Sequence, residues 1–94
     1  MDYDNLKIDD GFENDLHILR DALKSELSAI NLYKKMIIGA RTEKVKAYLE
    51  KFIEEEKQHV AALMKLINEI DKIQKEKFDD EEYCNAIFEG QCAL

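Results

Sequence analysis

The chain has 94 residues, 46% hydrophobic and 37% charged, with no proline and a net charge of −7. That length holds one small domain, with enough apolar material for a helical core and little to spare. There is no long apolar run and no signal-peptide pattern, and the negative charge disfavours nucleic acid and anionic membranes. A cytoplasmic protein with neither kind of partner is expected, with a field that attracts metal cations.

Residues 1–10, MDYDNLKIDD, carry four aspartates and no sustained period, which predicts a loose acidic arm. Asp9, Asp10 or Asn14 would cap the first helix. That helix is expected over residues 12–38. Its seam runs Phe12, Leu16, Leu19, Leu23, Glu26, Ile30, Tyr33, Ile37, in alternating steps of four and three, with one carboxylate on an apolar stripe. Tyr33 can lend a hydroxyl to a site or fill core with a polar tip. His17 lies off the seam with Glu13, Asp21 and Lys24, on a face expected to be exposed, where a weak surface metal site is the sharper alternative.

In Gly39-Ala40-Arg41-Thr42 the glycine suits a left-handed position after the helix and Thr42 an N-cap, giving a short connection that folds a second helix back antiparallel. This helix is expected over 43–77. Its seam reads Val45, Leu49, Phe52, Glu56, His59, Leu63, Leu66, Ile70, Ile73. Two ionisable groups interrupt it. A carboxylate in a packed seam costs several kcal/mol, by rough estimate, unless a cation or hydrogen-bond donor compensates it. A divalent metal is such a cation, and Glu56 and His59 at i and i+3 can bind it from one helical turn. The plainer alternative is a polar pair that sets register across a coiled coil. Glu54 and Glu55 flank the pair and read as a solvated face, as do Lys24, Lys34, Lys44, Lys51, Lys57 and Lys65.

After Phe78 the period breaks. Asp79 and Glu82 resemble a capping arrangement before a short third helix over 80–89, stopped by Gly90. Its Tyr83, Ile87 and Phe88 need a surface, either the hairpin or a neighbouring chain. Cys84 and Cys92 form no Cys-x-x-Cys pair, which argues against a rubredoxin-like electron-transfer module. They are expected to be free thiols, with a disulfide or surface metal site as alternatives.

The expected fold is all-α: an antiparallel two-helix hairpin plus a short C-terminal helix in a single domain over 1–94. A carboxylate-bridged dinuclear site in a helical bundle takes one Glu from each of two helices and a Glu-x-x-His from each of the other two. One Glu26 and one Glu56/His59 supply half of that set. Two copies related by a twofold axis would complete it as a four-helix bundle.

Glu26-x6-Tyr33 followed by Glu56-Lys57-Gln58-His59 resembles the metal-binding signature of ferritin-like proteins, and the two-helix length narrows the resemblance to the encapsulated ferritins. The resemblance covers roughly Leu23 to Leu66. It implies an iron-dependent ferroxidase with a di-iron site at a dimer interface, with Glu26, Glu56 and His59 as ligands and Tyr33 beside them. It also implies dimers closed into a ring of ten subunits, and ferric iron passed to an encapsulin shell, so that the protein would work inside that nanocompartment. The chain departs from the family in three places. Ser25 and Ser28 stand where relatives often carry extra acids, Leu32 where a tryptophan commonly precedes the tyrosine, and Gly90-Gln91-Cys92-Ala93-Leu94 shows no recognisable encapsulin-loading peptide.

Carboxylates and imidazole suit Fe(II), and equally Zn(II), Mn(II) or Co(II), with Ca(II) a further stand-in. Two functions of different class are therefore expected to compete: a ferroxidase, and a metal-independent or zinc-stapled helical oligomer acting as scaffold or adaptor. A di-iron protein that consumes oxygen or peroxide without storing iron is a narrower third.

Overall fold

The computed structural model describes residues 10–88; residues 1–9 of the expected acidic arm and the segment 89–94, with the expected Gly90 stop and Cys92, lie outside the described residues, while Asp10, the arm's last residue, is the first of a helix. Four helices follow in order: α1 (Asp10–Gly39), α2 (Glu43–Ile70), α3 (Lys72–Phe78) and α4 (Glu81–Phe88). Arg20 meets Asp71, Glu26 meets His59 and Tyr33 meets Phe52. Rising numbers on α1 face falling numbers on α2, so the long helices form the antiparallel hairpin expected.

The boundaries differ in detail. α1 starts at Asp10 rather than residue 12, which puts Asn14 inside the helix, where it cannot cap. Gly39 is the last residue of α1 and does not take the left-handed conformation. The helix ends instead on Ala40, whose N–H is shared between the carbonyls of Met36 at 3.0 Å and Ile37 at 3.2 Å, a three-centre arrangement common at helix ends. Thr42 does cap α2: its backbone is extended and its Oγ1 accepts the Val45 N–H at 3.2 Å.

The α1 seam packs as the periodicity predicts. Leu16 is buried and Leu19, Leu23, Glu26, Ile30, Tyr33 and Ile37 are half-buried, with Phe12 left exposed near the helix start. On α2 the contact stripe is Leu49, Ile53, Glu56, Val60, Leu63, Ile67 and Ile70, of which Ile53 and Ile67 are buried. The expected seam contributes every second member, while Val45, Phe52, His59 and Leu66 remain exposed. The apolar sector of α2 is wider than one helix can cover. Period alone does not say which edge of it α1 takes.

Among the described residues only Leu16, Ile53 and Ile67 are buried apolar side chains, so each carries much of the hairpin's packing. Ile53→Ala is expected to lose about 2–4 kcal/mol in a denaturant titration. Val45→Ala, at a half-exposed position, should stay within roughly 0.5 kcal/mol.

α2 stops at Ile70, not at 77. Asp71 breaks it and caps α3, accepting the Gln74 N–H at 3.0 Å. The cap of α4 is Asp80, which accepts the Tyr83 N–H at 3.1 Å, so the helix begins at 81. Asp79 instead closes α3 through its N–H to the Lys75 carbonyl, and its carboxylate accepts Lys75 Nζ at 2.6 Å. Among the described residues α4 makes no contact with either long helix, and Tyr83 and Ile87 are exposed, so the hairpin does not cover these two side chains.

Candidate metal centre

The hairpin brings Glu26 of α1 opposite Glu56 and His59 of α2, near the middle of both helices. Glu26 sits on the α1 seam, Glu56 on the α2 contact stripe, and His59, one turn on, at its edge. Each offers one ligand atom, and the three atoms lie within 4.8 Å of one another. Ligand atoms held at about 2.0–2.2 Å from one tetrahedral ion stand about 3.3–3.6 Å apart, so side-chain adjustment on the order of an ångström would bring all three onto one ion.

His59 Nδ1 stands 3.5 Å from Glu26 Oε2 and 3.6 Å from Glu56 Oε2. These separations are long for hydrogen bonds and close to the roughly 3.4 Å edge of a tetrahedron around such an ion. The side chains are graded in exposure: Glu56 18%, Glu26 27% and His59 57%. Glu56 Oε2 is itself buried and accepts no hydrogen bond. An orphaned carboxylate oxygen is among the costliest groups a small core can hold, and a cation removes that cost. The acceptor-only carboxylates and the imidazole fit a divalent ion of the Fe(II), Zn(II), Mn(II) or Co(II) type.

Tyr33 is not a member of the ligand group. It is half-buried and its ring tilts against Phe52 at 5.8 Å between centroids, with Tyr48 on Phe52 in turn at 6.3 Å. Its placement is that of an aromatic packing residue one turn-pair beyond Glu26. His17, Glu54 and Glu55 are exposed, as are the six surface lysines. Cys84 lies in α4.

Sequence reasoning missed the ion pair between Arg20 and Asp71, at 3.1 Å, which ties α1 to the α2–α3 junction. The partners are 51 residues apart, and no local pattern signals such a pair.

A family model described as rubrerythrin matches residues 17–91, a span that holds Glu26, Glu56 and His59. No curated protein and no solved structure matches the chain. No helix among the described residues is long and apolar enough to cross a membrane.

Proposed function

The chain belongs to the rubrerythrin family of the ferritin-like superfamily, and on that premise we propose that it is a ferroxidase, an Fe(II):oxygen oxidoreductase whose di-iron site forms between two subunits. The observation that carries the proposal is the Glu26–Glu56–His59 group, in which the buried Oε2 of Glu56 accepts no hydrogen bond.

Two considerations support a shared site. One subunit holds half of the ligand set that a carboxylate-bridged pair of metals takes in a four-helix bundle. In addition Val45, Phe52 and Leu66 recur at intervals of seven with His59 among them, an exposed apolar line beside the ligands. A second hairpin laid along this line by a twofold axis would bury it and bring its own Glu26, Glu56 and His59 to the first set.

Within such a site Glu26, Glu56 and His59 hold the metal, and Tyr33 packs nearby. Fe(II) is the substrate: two ions give one electron each to dioxygen, which takes up two protons as it is reduced to the peroxide level. The chain's part is to bind both ions through Glu26, Glu56 and His59 and to release the ferric product. The carboxylates suit turnover because they bind through one oxygen or two. The resemblance to encapsulated ferritins extends the proposal to a ring of dimers, ten subunits in that family, feeding iron to an encapsulin shell.

Fe(II) added aerobically to the purified chain tests this. Ferric absorbance should rise faster than with iron alone, saturate at a fixed iron-to-protein ratio, and accompany a dimer or larger species in size measurements. Absence of acceleration would leave the scaffold or adaptor function standing. Acceleration with rapid turnover but no ferric iron passed on would instead identify a di-iron protein that consumes oxygen or peroxide, which the family match also accommodates.

A further inference from the structure

From Ala40 to Glu89 the chain contains neither glycine nor proline, so no residue type forces α2 to stop at Ile70. One side chain holds the break. Asp71 is extended (φ −99°, ψ 96°), its Oδ1 accepts the Gln74 N–H at 3.0 Å, and its Oδ2 accepts Arg20 from α1 at 3.1 Å. Its own N–H closes α2 on the Ile67 carbonyl at 2.8 Å, and its carbonyl receives Lys75 N–H at 3.0 Å. α3 is thereby turned so that Gln74 and Phe78 join Arg20, Leu23, Met64 and Ile67 around a groove of about 310 Å³.

The turned form gains little from burial. Phe78 remains 60% exposed and Ile73 69%. As the first residues of α3, Lys72 and Ile73 also give up the amide bonds an unbroken helix would make. In an unbroken helix Ile73 would continue the line of Phe52, His59 and Leu66, seven residues beyond Leu66. A side-chain cap and one ion pair whose guanidinium is half exposed are modest opposing contributions. The two arrangements are therefore closely balanced.

We infer that Asp71 and Arg20 form a clasp on a two-state hinge: closed, it lays α3 over the groove; released, it lets residues 43–78 run as one helix that withdraws Phe78 and extends the exposed α2 line to Ile73. Such a hinge is a bistable element of the kind that relays assembly or ligand state. It holds whatever chemistry the metal group performs.

The test uses the full chain with Cys84→Ser and Cys92→Ser, spin-labelled through Glu50→Cys and Lys77→Cys. An unbroken helix places these positions about 40 Å apart, and the clasped form places them closer. The unmutated clasp should give chiefly the shorter distance. Arg20→Ala, and Asp71→Asn, which keeps a capping oxygen, should each raise the long-distance fraction relative to the short by roughly two- to fivefold. Asp71→Ala, which removes cap and clasp together, should raise it further, by roughly fivefold or more, and move the Cα chemical shifts of residues 71–74 to helical values. Unchanged distances and shifts in Asp71→Ala and Arg20→Ala would overturn the hinge. So would loss of helical shifts across 72–78, because the clasp would then order α3 rather than choose between two helices.

Discussion

His59→Ala is expected to lower protein-dependent Fe(II) oxidation by about 100-fold or more, to the rate of iron in buffer. Groups that merely orient a ligand are typically worth 10–100-fold, and His59 is the sole imidazole in the group formed with Glu26 and Glu56. Glu56→Ala should match it, because Glu56 carries a buried oxygen that accepts no hydrogen bond among the described residues. Glu54→Ala, two residues away on the exposed face, should stay within roughly twofold, a surface change away from any packed feature. The measurement is the initial rate of ferric absorbance in air at fixed iron. Wild-type rates in His59→Ala would place the chemistry elsewhere on the chain.

Metal removal should have the second large effect, on stability. An ion that binds the folded form at about one hundred times its dissociation constant stabilises it by about 2.7 kcal/mol. For a chain of this size each kcal/mol moves Tm by about 4–8 °C. Zinc at that excess should therefore raise Tm by about 10–20 °C over chelator-treated protein, read by circular dichroism. The carboxyl oxygen of Glu56 has the most to gain, so the shift should nearly vanish in Glu56→Ala. If two copies share the metals, Tm in zinc should also rise with protein concentration. A zinc-induced rise that is independent of concentration would point to a single-subunit site.

What determines the ligand group is legible locally. Glu26, Glu56 and His59 are ionisable residues at positions where the alternating four-and-three steps demand apolar ones. That conflict between pattern and residue type is visible without coordinates. The same step pattern marks both helices, and Gly39 to Thr42 marks the turn between them. The antiparallel hairpin follows because so short a connection leaves two amphipathic helices no other surface to bury.

The rest depends on the packing. The step pattern on α2 admits two adjacent stripes, and only the position of α1 chooses Ile53, Val60 and Ile67 over Phe52, His59 and Leu66 as the contact line. The stop at Asp71 is equally invisible to helix period, since residues 72–77 would continue a helix without strain. It takes the carboxylate's reach to Gln74 and to Arg20, 51 residues away, to end α2 there. Composition and period thus specify which residues want burial and which conflict with it, because those are properties of one helix. Which conflicting groups meet, and where a helix without a breaker ends, are decided by distances between helices, which exist only once the hairpin has closed.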